Sequence, residues 1–281
     1  LMPALQQIYA SFNQITFMKP AIDKLYSDMI SLKPVDKTYI NDKITANKTI
    51  NLRKINFRYP NSSKLTLEDL SLSIPAKSMI GIVGSTGSGK TTTVDVILGL
   101  LQAEKGVLDV DGKEINNQNI KSWQRNIGYV PQNIYLSDNT IEENIAFGLN
   151  KENIDHNSVI RSSKIAKLHD FIMNELPKKY QTVIGERGIR LSGGQRQRIG
   201  IARALYHSPS ILVFDEATSA LDNQTEKIIM EAINVLKKKI TIILIAHRLN
   251  TVKNCDIIYK LENGKIVATG TFDEVFSNYK L

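Results

Sequence analysis

The stretch that most constrains this chain runs from Met79 to Leu98, MIGIVGSTGSGKTTTVDVIL. Met79 to Val83 is a short apolar run of buried-strand type, Gly84 to Thr91 fits G-x-x-x-x-G-K-S/T, and Thr92 to Leu98 continues with helical spacing. Gly84, Gly87 and Gly89 let the backbone curl so that successive N–H groups converge on one point. The first turn of the following helix adds unpaired N–H donors and the positive end of its dipole. Lys90 then supplies a mobile cation for β- and γ-phosphates, and the Thr91 hydroxyl suits Mg²⁺. A glycine turn with an incidental lysine is the plainer alternative, and the strand and helix on either side argue against it. The stretch reads as a nucleotide site.

At 281 residues, with 42% hydrophobic and 23% charged residues, the chain is long enough for one or two domains with a sizeable core. No apolar run approaches the ~18–20 residues of a membrane helix, and no signal-peptide pattern opens the sequence. The lone Cys255 excludes an internal disulfide and fits a reducing compartment. The net charge of +8 is scattered, and its longest run, Lys237-Lys238-Lys239, is too short to argue for nucleic acid.

Residues 1–30 place Met2, Leu5, Ile8, Tyr9, Phe12, Ile15, Ile22, Leu25, Met29 and Ile30 at spacings of three and four. They predict helices interrupted near Pro20, with an apolar stripe that wants a partner. Residues 31–48 read as a linker around Pro34. From Thr49 the pattern alternates over INLRKINFRYP and again over LTLEDLSLSIP, predicting an antiparallel sheet with one buried face. Gly106 to Val110 with Asp111-Gly112-Lys113 reads as a strand and hairpin turn, and residues 127–131 as a further strand ending at Gln132. Residues 133–190 are mostly helical in pattern, in two runs: IEENIAFGL, and SVIRSSKIAKLHDFIMNEL up to Pro177. Helices follow over Gln195–His207 and Asp222–Leu236. Ile211–Phe214 and Ile240–Ala246 are apolar runs suited to a parallel sheet covered on both faces. A hairpin turning at Asn263-Gly264 and a short helix, TFDEVFS, close the chain.

In a parallel α/β sheet, ligands sit beyond the carboxyl ends of the strands. Three apolar runs here end in reactive residues: Val83 at the glycine loop, Phe214 at Asp215-Glu216, and Ala246 at His247. If the strands are neighbours, Asp215 is the natural Mg²⁺ partner, through a water. Glu216 can then orient or deprotonate an attacking water, and His247 can reach the γ-phosphate or hold Glu216. An acidic pair after a strand also serves as a helix cap, and one histidine after a strand is commonly structural. His156, His169 and His207 lie in or beside helical patterns and receive no chemistry. Trp123 reads as core, and Cys255 as inert.

These residues, together with Leu191-Ser192-Gly193-Gly194-Gln195, resemble the ATP-binding cassette (ABC) family, whose LSGGQ signature stands here unaltered. The resemblance covers about Thr49 to Phe276. It implies an α/β P-loop NTPase: a RecA-like parallel sheet core with an antiparallel β subdomain and an α-helical subdomain. The ATPase domain would span 49–281, with the helical part at about 133–190. It implies that Tyr59 stacks on adenine and that Gly84, Ser85, Thr86, Gly87, Ser88, Gly89, Lys90, Thr91 and Thr92 hold the phosphates. Gln132 would touch Mg²⁺ and signal toward a membrane domain. Thr91, Gln132 and Asp215 form the metal set, and Glu216, His247 and Lys90 the catalytic one; Ser219 to Asp222 match the D-loop. Ser192, Gly193, Gly194 and Gln195 open a helix and form a second anion site. The family solution is a head-to-tail dimer in which the glycine loop of one copy and the LSGGQ of the other clamp a shared ATP.

TVIGERG at Thr182–Gly188, DEATSALD and IAHRL resemble ABC exporters more than importers. Residues 1–30 then look like the cytoplasmic tail of a last transmembrane segment, joined by 31–48 to the ATPase. The resemblance thus implies a second nucleotide-binding domain and a transmembrane domain as partners, no nucleic acid, and a place at the cytoplasmic face of the cell (inner) membrane. The wording of residues 5–29 and ILGLLQAEKG resembles flippases of lipid-linked oligosaccharides or polysaccharides, pointing to an amphiphilic substrate. The alternatives are a soluble ABC-type ATPase on ribosomes or DNA, which normally carries two cassettes or a long coiled coil, and a separate importer subunit.

Overall fold

The computed structural model describes residues 1–31, 43–60, 62–185, 191–216, 223–246 and 249–276. It divides into two units, residues 1–39 and 40–281. The first is the single helix α1 (Met2–Ser31), with Pro20 inside it. The expected interruption at Pro20 does not occur. Proline removes one N–H and crowds the carbonyl four residues back, and complete helical turns on both sides carry the 30-residue helix through. Its large apolar side chains, such as Phe12 and Ile15, are exposed.

The second unit is built on two sheets. The alternation read from Thr49 onward produces β1 (Thr49–Phe57) and β2 (Leu67–Pro75), paired antiparallel. With β4 (Lys105–Val110) and β5 (Lys113–Glu114) they form a four-stranded antiparallel sheet ordered β2-β1-β4-β5. The apolar runs form β3 (Met79–Gly84), β7 (Ile211–Asp215) and β8 (Thr241–Ile245), which join β6 (Ile127–Val130), β9 (Ile257–Glu262) and β10 (Lys265–Gly270). This six-stranded sheet is ordered β10-β9-β3-β8-β7-β6. It is parallel except for the β9–β10 hairpin, whose turn at Asn263-Gly264 has both residues at positive φ.

Every residue of β7 and β8 is buried, as continuous apolar runs require when both faces of a sheet are covered. One face packs with α2 (Lys90–Ile97) and the antiparallel sheet, in a core that includes Ile50, Ile82, Val94, Ile97 and Val213. Trp123, on α3 (Ile120–Gln124), lies fully buried there and donates its indole N–H to the Ile97 carbonyl at 2.7 Å. It is core, as expected. The other face carries α4 (Ile141–Ile145), α5 (His156–Ile165), α6 (His169–Glu175), α7 (Gly193–Leu205) and α8 (Asn223–Leu236). α9 (Leu249–Val252) and α10 (Phe272–Phe276) complete the α-helices among the described residues.

Two helical expectations are corrected. The run over residues 158–176 is two helices, because Lys167 takes φ 54° between them. The break lets Val159 of α5 and Leu168 and Ile172 beyond it bury into one core. The run over 141–149 stops at Ile145, with Gly148 at φ 86° just past it. Residues 43–48, read as linker, are tied to the domain. Ile44 and Ala46 are buried, and the Asp111 carboxylate accepts the backbone N–H groups of Asn47, Lys48 and Thr49 at 2.7–2.8 Å. The linker's earlier residues, 32–42, lie outside the described residues. Cys255 is buried, and burial with the Asp256 charge beside it pushes its thiol up to about 12. It is inert at neutral pH.

Candidate active site

The order β3-β8-β7 meets the condition set by the three strand ends. Ile82 pairs with Ile245, and Ile245 with Asp215, so the glycine loop, Ala246 and the Asp215-Glu216 pair emerge along one sheet edge. The Glu216 N–H donates to the Ile245 carbonyl at 3.1 Å, which ties the end of β7 to β8. His247, the D-loop residues Ser219–Asp222, and 186–188 of TVIGERG lie outside the described residues.

The loop itself is built for close backbone approach. Gly89 sits at φ 101° against Leu67, and a Cβ on Gly84 would run into the Leu261 carbonyl oxygen. No side chain caps α2, which leaves its first N–H groups without a side-chain acceptor. The Ser88 hydroxyl is buried and has no hydrogen-bond partner. A buried polar atom without a partner costs about 1–3 kcal/mol, and a phosphate oxygen at the mouth of this loop is the acceptor it fits. Lys90 is 5% exposed, and its ammonium donates to the carbonyls of Gly84 and Ser85 at 3.0 and 2.9 Å. Burial lowers its proton affinity, while the nearby charges of Glu216 and Asp215 pull it back up. Ser85, Thr86, Gly87 and Thr91 line the exposed side of the loop.

Asp215 is buried at the end of β7. Burial pushes its carboxyl above the usual range; a hydrogen bond from Tyr129 opposes this, the Glu216 charge adds to it, and Lys90 opposes it. A desolvated carboxylate on the sheet edge that the glycine loop leaves, together with the Thr91 hydroxyl at the end of that loop, offers hard oxygen donors of the kind Mg²⁺ takes. Gln132 donates its side-chain amide to Glu216 Oε2 at 3.0 Å, so these two expected residues meet. Glu216 holds φ 49°, an uncommon backbone state for a non-glycine residue and one that clusters at functional sites. Tyr59, 42% exposed, rests edge-on against Phe57 at 5.0 Å, and its hydroxyl shares a hydrogen bond with Thr92 at 3.2 Å. An aromatic face is thereby held next to the helix that follows the glycine loop.

The signature forms the N-terminus of α7. Ser192 Oγ accepts the Gln195 N–H at 3.2 Å, and Gln195 Oε1 accepts the Ser192 N–H at 2.8 Å, a reciprocal capping box. Ser192 and Gly193 are exposed. Among the described residues no hydrogen bond joins 192–195 to the loop at 84–91. Sequence reasoning overlooked Tyr129 and Asp95. Tyr129 donates to Asp215 Oδ2 at 3.1 Å, and Asp95 of α2 is pushed up by burial and by the Asp215 charge. Only the adjacency of β6 and β7 reveals the first of these.

The sheet and loop define a P-loop nucleoside triphosphatase. Residues 67–219 match the family described as ABC transporter. Among curated proteins, the chain is 38% identical over 271 residues to ABC multidrug transporter mdr1 of Aspergillus fumigatus, covering 96% of this chain and 19% of that protein. It is 41% identical over 224 residues to ABC transporter B family member 22 of Arabidopsis thaliana, covering 79% and 18%. Among solved structures, a bacterial Atm1-family ABC exporter with ATP bound matches with TM-score 0.82 at 31% identity, over 100% of this chain and 49% of that one. The chain belongs to the ABC transporter family, as an ATPase domain of the exporter type. It spans about a fifth of the length of the curated relatives it matches.

Proposed function

We propose that this domain powers an exporter at the cytoplasmic face of a cell membrane by clamping MgATP between two copies arranged head to tail. What supports the reading most is one arrangement. The glycine loop with its orphaned Ser88 hydroxyl lies along the same sheet edge as Asp215 and Glu216, while a second helix start, at Ser192, is exposed, its side chain held in the local capping box with Gln195 and joined by no hydrogen bond to that loop among the described residues. In this reading Tyr59 stacks on adenine. The loop N–H groups, Ser88 and Lys90 hold the β- and γ-phosphates, and Ser192, Gly193 and Gly194 of the second copy close on the γ-phosphate. Thr91, Asp215 and Gln132 hold Mg²⁺, which when bound supplies neutralisation of charge developing on the phosphates. Glu216 orients the attacking water and takes its proton, with Gln132 fixing the carboxylate. His247 supports the γ-phosphate. Because the contact to Ser192 depends on that phosphate, hydrolysis removes the clamp and reopens the pair.

The helix α1 is proposed as the cytoplasmic tail of a transmembrane segment, and an amphiphilic molecule as the substrate; the membrane domain is the second partner. Two measurements test the engine. ATP turnover per chain should rise with protein concentration in the range where dimers assemble. A specific activity that is flat over several decades would mean that one copy suffices. Tyr59→Ala should weaken ATP binding by roughly 1–3 kcal/mol, as loss of a base-stacking ring does, while Tyr59→Phe keeps most of the affinity. Equal affinities for all three would remove Tyr59 from the site.

A further inference from the structure

Tyr129 lies on β6, the edge strand, where it pairs with Val213 of β7. Val213 and Asp215 share one face of the sheet, the face Tyr129 packs on. Two residues along a strand span about 6.6 Å, close to the reach of a tyrosine from Cα to hydroxyl. A tyrosine leaning along the strand direction from this register therefore delivers its O–H to the carboxylate two residues beyond its partner. That is what is found: the Tyr129 hydroxyl donates to Asp215 Oδ2 at 3.1 Å. It is the only hydrogen-bond partner of the Asp215 side chain among the described residues.

We infer that Tyr129 is a positioning residue for the divalent cation, fixing Asp215 through Oδ2 so that Oδ1 is left free and aimed at the metal's coordination shell. The inference rests on the proposed reading of Asp215 as a metal-site residue. Groups that orient metal-site carboxylates typically change metal affinity by 10- to 100-fold when removed. Tyr129→Phe keeps the ring packed on the sheet and deletes only the donor.

The test uses Mn²⁺ as the probe, titrated into the 281-residue chain with saturating ADP and followed by electron paramagnetic resonance, with metal-free ADP affinity measured in parallel. Tyr129→Phe should weaken Mn²⁺ binding about tenfold and leave metal-free ADP affinity as in the wild type. Asp215→Asn should weaken Mn²⁺ at least as much. Wild-type Mn²⁺ affinity in Tyr129→Phe, beside a weakened Asp215→Asn, would overturn the positioning role while leaving Asp215 at the metal. Wild-type affinity in both variants would overturn the metal assignment itself. Equal losses with and without metal in Tyr129→Phe would make the residue merely structural and also overturn the inference.

Discussion

Glu216→Gln is expected to keep ATP binding and to lower steady-state turnover by about a hundredfold or more. A positioned general base contributes on the order of 10²–10⁴ in rate, and the amide of glutamine cannot take a proton from water. The substitution is otherwise conservative. The side chain keeps its length and an oxygen to accept from the Gln132 amide, which now donates to Glu216 Oε2 at 3.0 Å. The unusual φ of 49° is no worse for glutamine than for glutamate. The melting temperature without nucleotide should therefore match the wild type. Phosphate release in single-turnover and steady-state assays measures the loss; turnover at the normal rate would take the catalytic role away from Glu216.

Lys90→Ala is expected to lower ATP affinity by about ten- to a hundredfold, the range of one to two charge-assisted hydrogen bonds. Its effect on the fold should have the opposite tendency. Burial lowers the proton affinity of Lys90 in the folded state, so carrying its charge into the fold opposes folding at neutral pH. That opposition is present below the folded-state pKa and vanishes only above the unfolded value near 10.5. Two hydrogen bonds to the Gly84 and Ser85 carbonyls offset part of it. Removing the side chain should thus cost little or no stability while it disables the site. Isothermal titration with ATP and a thermal melt separate the two. A variant that binds ATP normally would mean that the loop amides alone hold the phosphates.

Much of this molecule was readable because its strands follow simple patterns. The alternation at Ile50–Leu52, Ile55–Phe57 and Leu70–Ile74 shows which face of β1 and β2 is buried, with the slips in step at Lys54 and Asp69 taken up by irregularities where both residues hold positive φ, and the unbroken runs at Ile211 and Ile240 announce strands covered on both faces. The loop at Gly84–Thr91 was legible because its chemistry is local, with the glycines, Lys90 and Thr91 within one turn of chain. What escaped depends on context the linear pattern lacks. A lysine carries no signal that it will adopt φ 54°, so the break at Lys167 was invisible. Ile44 and Ala46 sit in a stretch whose composition reads as linker, yet three N–H groups satisfied by Asp111, some sixty residues away, hold it down. Tyr129 reaches Asp215 only once β6 is known to lie beside β7. Pro20 inside α1 is the reverse case, a strong local signal overruled by the turns around it.

The most direct test of the clamp is the mass in solution of Glu216→Gln with MgATP, measured by light scattering. The account predicts a species of twice the 31.5 kDa chain mass. It should fall back to one chain when Ser192→Arg is added to the same variant, although each copy still binds ATP through its own loop. A Glu216→Gln protein that stays at single-chain mass under saturating MgATP, or a dimer indifferent to Ser192→Arg, would contradict it.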